Sequence, residues 1–67
     1  MNTLKTVLSM VSALDDITIH DGHGVIRYNG ACSDFRATMS EADKAELLSA
    51  EVSCIRPYKS ILVILLK

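Results

Sequence analysis

Only three of the 67 residues are aromatic, Tyr28, Phe35 and Tyr58, and there is no tryptophan. Base-stacking platforms and flat ligand pockets are built from aromatic faces, so both are disfavoured, and aliphatic packing must do most of the holding. Cysteine is as scarce. Cys32 and Cys54 are too few for the disulfide framework of a secreted mini-protein, and they read as two buried thiols in a reducing cytoplasm. No segment approaches the ~20 consecutive apolar residues that cross a bilayer. The run Ile61-Leu62-Val63-Ile64-Leu65-Leu66 reads instead as a buried strand. Near the start, Lys5 precedes an apolar stretch broken by Ser9 and Ser12, which makes a poor export signal. The sequence therefore points to a cytoplasmic protein with no membrane partner.

Charge of one sign is also missing. Seven basic against eight acidic residues leave a net charge of −1, and no window of Lys and Arg would draw in a phosphate backbone, so nucleic acid is a disfavoured partner. With one proline, three glycines and 49% hydrophobic residues, the composition is that of a globular chain. Sixty-seven residues make one domain, spanning 1–67, with a thin margin of stability.

What is present is periodicity. Leu4, Val7, Leu8, Val11 and Leu14 fall on one side of a 3.6-residue wheel, predicting an amphipathic helix over 4–14 that ends at Asp15 and Asp16. Gly22-His23 reads as a two-residue turn that sets Ile19 opposite Ile26 and Ile17 opposite Tyr28. Asn29-Gly30 reads as a second turn, setting Tyr28 opposite Ala31 and Gly24 opposite Phe35. The two turns agree on one register: Ile17, Ile19, Ile26, Tyr28 and Phe35 inside, with Thr18, His20, Arg27, Asp34 and Arg36 outside. Ser40, three residues before Asp43, caps a second helix whose apolar stripe is Ala45, Leu48 and Val52. Pro57-Tyr58 reads as a bend before a last strand over 60–66. The fold expected is α+β, a two-layer sandwich of order α-β-β-β-α-β, with an antiparallel meander and both helices on one face. Since 61–66 is apolar on both sides of a strand, something must cover the side away from the helices, and the chain has no spare element to do so.

Candidate chemistry is sparse. His20, His23, Cys32 and Cys54 supply atoms of the kind zinc prefers, but their spacing matches no zinc pattern, so no metal or cofactor is expected. In the predicted register Cys32 lies opposite Arg27 with His20 on the same face, a triplet that any strand face offers by chance. There is no nucleophile elbow, carboxylate pair or phosphate loop, so no catalytic residue is named. Two binding readings remain. The first is a non-enzymatic interaction module, a regulator, adaptor or inhibitor that occludes a larger protein or pairs with a second copy of itself. Its candidate contacts are Leu62, Ile64 and Leu66 on the last strand, Arg27 and Arg36 on the sheet, and Asp43, Glu46 and Glu51 on the acidic side of the second helix. The alternative is a nucleic-acid-binding module using Arg27, Arg36, Arg56 and Lys59, opposed by the acidic start of the second helix at Ser40-Glu41-Ala42-Asp43.

Overall fold

The computed structural model describes residues 2–67. Helix α1 (Leu4–Met10) starts where the Thr3 hydroxyl accepts from the Thr6 N–H at 3.4 Å, and buries Leu4, Val7 and Leu8. It is one turn shorter than the apolar stripe predicts. The Ser12 hydroxyl accepts from the Leu14 N–H, and the Asp15 N–H bonds back to the Ser12 carbonyl, closing a turn that competes with further helix. Val11 still packs against the core, while Leu14 is 89% exposed.

Strands β1 (Asp16–His20) and β2 (Ile26–Ala31) form the predicted hairpin in a different register. The Asp21 carboxylate accepts from the N–H groups of His23 and Val25, at 2.8 and 3.0 Å, so the loop runs through Val25 and the left-handed position falls on Gly24, at φ 82°. Ile19 therefore pairs with Tyr28 and Ile17 with Gly30, and a bulge sets Ile26 beside His20. Ile26, expected inside, is 56% exposed on the opposite face. Gly22 serves packing instead of the turn: a Cβ there would stand 2.7 Å from the backbone of Lys67, which crosses over it.

The predicted third strand is a helix. Asn29-Gly30 is no turn but part of β2, with the Asn29 side chain accepting from the Thr18 hydroxyl across the pair. At Gly30 a Cβ would lie 3.0 Å from the Tyr28 hydroxyl oxygen, so its bareness lets that ring fold down and donate to the Ala31 carbonyl. The chain then enters α2 (Cys32–Thr38) with no side-chain cap. Its first N–H groups go instead to the loop after α1, Cys32 to the Asp15 carbonyl at 2.8 Å and Ser33 to that of Ala13 at 3.0 Å. Phe35 is fully buried, edge-on to Tyr28 with ring centres 5.2 Å apart.

Helix α3 (Glu41–Ser49) follows as the capping pattern predicts, with the Ser40 hydroxyl accepting from the Asp43 N–H at 3.2 Å. Its buried residue is Leu47, with Leu48 half-buried; Ala45 is exposed, and Val52 belongs to the next strand. Strands β3 (Val52–Tyr58) and β4 (Ile61–Leu66) form a second hairpin. Pro57 does not end β3, because β3 is an edge strand, where a missing N–H is tolerated. Lys59 makes the turn from the left-handed region at φ 56°.

The class is α+β, and among the described residues there are three helices and four strands, in the order α-β-β-α-α-β-β. The sheet is mixed, not an antiparallel meander: its order is β2-β1-β4-β3, and β1 and β4 run parallel at its centre. The core joins Leu4, Val7 and Leu8 of α1, Phe35 of α2 and Leu47 of α3 to Ile17, Ile19, Ile64 and Leu66 of the sheet. Register puts Ile17 beside Leu62 and Ile19 beside Ile64, so these side chains share one face. No described helix is long and apolar enough to cross a membrane.

Candidate interaction surface on the open face of the sheet

Alternation along each strand sends every second residue to the face away from that core. The pairings arrange these residues as three rows across β2, β1, β4 and β3: Ala31, Asp16, Ile61 and Tyr58; then Asn29, Thr18, Val63 and Arg56; then Ile26, His20, Leu65 and Cys54. Its central column is Ile61, Val63 and Leu65 on β4, and every buried residue of the helices belongs to the other side. These three stay half-buried only because neighbouring strands flank them. Tyr58, 61% exposed, and Ile26 extend the apolar surface to opposite edges. The column lies between a polar one, Asp16-Thr18-His20, and a mixed one, Tyr58-Arg56-Cys54.

The strand residues expected to make contact are thus on the wrong side. Ile64 is 0% exposed and Leu66 is 5% exposed in the core, and Leu62 packs against it. A one-residue shift turns a strand over, and Ile61, Val63 and Leu65 are the residues that face out. Nothing in an all-apolar run marks one alternate set from the other; the parallel pairing with β1, whose alternation is plain, decides it.

The charged candidates are dispersed. Arg27 reaches back to the Asp21 carboxylate at 3.7 Å and to Glu46 of α3 at 4.0 Å, away from the open face. Arg36 is on α2, exposed, and not on the sheet. Arg56 sits in the middle row, and the Lys59 ammonium lies 5.5 Å from the centre of the Tyr58 ring. The four basic residues read as a phosphate-binding set therefore do not share one surface. Nor do the acids. Glu46 faces Arg27, Glu51 lies past the helix and meets the Lys67 ammonium at 3.2 Å, Glu41 holds Lys44 at 2.9 Å, and Asp43 stays exposed on α3. Among the described residues, Asp16 and Arg56 of the open face take part in no ion pair.

His20, Arg27 and Cys32, which the predicted register sets on one face, are not brought together. His20 ends β1 while Cys32 follows the partner of Asp16 at its other end, about 13 Å away along the strand. Both cysteines are free and half-buried. Burial pushes the Cys32 thiol up, with Arg36 pulling the other way and Asp15 adding to the rise. That thiol lines a groove of about 250 Å³ between α1 and α2. A second groove, of about 360 Å³, opens at the end of the sheet beside Asp16 and Ile61. Burial likewise raises the Tyr28 phenol. Among the described residues no three of His, Cys, Asp and Glu come together as a metal site would require. Comparison of the chain with protein-family models, with curated proteins and with solved structures finds no match.

Proposed function

We propose that this chain is a small non-enzymatic protein–protein interaction module, a two-layer α+β unit that docks through the open face of its sheet. The observation that supports this is the column Ile61-Val63-Leu65, an apolar strip on a central strand with no element of the chain over it. Its neighbours Tyr58 and Ile26 add apolar area, and Asp16 and Arg56 offer charges that form no ion pair among the described residues. Such a surface suits a protein partner: an apolar centre supplies burial and a few polar groups fix orientation. Docking by strand addition at an edge is less well supported. Pro57 removes a donor from β3, and the Val52 N–H already bonds to the Asn2 carbonyl at 2.9 Å.

The test is affinity capture from the source cell with the full chain as bait, comparing the unsubstituted protein with Val63→Asp and Glu46→Lys. Partners lost with Val63→Asp and kept with Glu46→Lys support docking through the sheet. Partners indifferent to Val63→Asp and lost with Glu46→Lys move the site to α3 and overturn the proposal.

A further inference from the structure

We infer that the occupant of the open face is a second copy of this chain, docked about a two-fold axis that runs along β4. This rests on the sheet-face reading above and commits it to a partner. The first support is the layout of the patch: the apolar strip Ile61-Val63-Leu65 on β4 has one column on either side, β1 and β3, so two copies turned about that strip overlay three columns on three.

The second support is register. An axis along β4 sets β4 against β4 and the β1 column of each copy against the β3 column of the other. Ile61, Val63 and Leu65 then each meet themselves, forming one apolar strip at the centre. Thr18 faces Arg56 of the other copy, and His20 faces Cys54. Asp16 faces Tyr58, with Arg56 one row further on, offset about 6.6 Å along the strand across the roughly 10 Å between packed sheets, a gap that the extended Asp and Arg side chains span together. Symmetry makes each of these contacts twice, so both unpaired charges of the face gain a partner of opposite sign. The other in-plane axis, across the strands through Val63, would set Arg56 on Arg56 with no acid in the middle row. The face carries one Asp and one Arg and is self-complementary, whereas a strongly acidic or basic partner would find only half of its charge matched.

The experiment is sedimentation equilibrium of the full chain from about 1 μM to about 1 mM. A dimer forming within that range is expected. Asp16→Lys and Arg56→Glu change exposed side chains outside every ion pair of the fold, so both variants fold. Each alone is expected to weaken the dimer at least about tenfold, because two like-charge contacts arise per interface. Mixing the two variants is expected to restore it: the new lysine meets the new glutamate at one site, and Asp16 meets Arg56 at the other. A monomer throughout the range overturns the inference, as does a mixture that associates no better than either variant alone. The broader proposal fails differently. A monomer that still loses a cellular partner on Val63→Asp overturns only the second copy, whereas capture indifferent to Val63→Asp overturns docking through the sheet.

Discussion

The two sides of β4 are alike in composition and opposite in circumstance. Leu62, Ile64 and Leu66 face three helices and belong to the core or pack against it; Ile61, Val63 and Leu65 are equally apolar and face none. β1 shows what a strand with one covered face ordinarily looks like: Ile17 and Ile19 point in, Asp16, Thr18 and His20 point out. β4 departs from that rule by three residues on one side. No helix of the described residues covers them, which is why the proposed docking surface is centred there.

The largest effect should come from breaking the inner side. Ile64→Asp puts a carboxylate at a fully buried position with no cation beside it, at a cost above about 4 kcal/mol. A 67-residue domain holds about 3–10 kcal/mol in all, so this one change should remove a large share of the stability, and thermal unfolding followed by circular dichroism should show the midpoint collapse or the chain unfold outright. The same substitution one residue earlier, Val63→Asp, should cost the monomer only about 1–2 kcal/mol in urea unfolding at low protein concentration. Comparable losses at both positions would erase the distinction between the faces.

A smaller effect tests whether the helical layer can be loosened without disturbing the open face. Ser40→Ala removes the hydroxyl that accepts from the Asp43 N–H and should lower stability by about 1 kcal/mol. The association of the folded fraction, read by sedimentation, should stay unchanged.

The smallest effect is at the loop that sends Ile26 to the open side. Hydrogen bonds from the Val25 and His23 N–H groups, with lesser help from the charges of His23 and Arg27, hold the Asp21 carboxyl below its ordinary value of 3.8. A carboxyl lowered by folding contributes stability that is present above its unfolded value and lost as pH falls through the folded one. The loop should therefore loosen only below about pH 3.8. NMR titration should follow this at the His23 and Val25 amides, and Asp21→Asn should abolish the transition. A midpoint above 3.8 would refute that account.

Legibility tracked how local the cause was. The Ser40 cap of α3, the start of α1 and the existence of the first hairpin all depend on groups within a few residues of one another, and all were readable. The third element was not. Residues 31–36 look like a strand because Asn29-Gly30 looks like a turn, yet Gly30 is there to accommodate Tyr28, and the donors that begin α2 are satisfied by Asp15 and Ala13 from another part of the chain. An apolar last strand implies an open face, but the run does not say which alternate set lies on it: Leu62, Ile64 and Leu66 go to the core and Ile61, Val63 and Leu65 to the open side. A two-residue turn at Gly22-His23 would put Arg27 on the outer face; the longer Asp21 loop shifts the register and turns it toward Glu46 of α3.

By itself, the sequence determined the α+β class, the two outer helices and the surplus of apolar side chains on the last strand, because periodicity and capping act over one or two turns of chain. Only the tertiary structure decided that β4 lies parallel to β1, which side of it is core, and that Asp16 and Arg56 flank the bare column outside the ion pairs of the described residues. Those outcomes depend on pairing between segments some forty residues apart, and a six-residue run of Ile, Leu and Val satisfies both alternations equally until a neighbouring strand selects one.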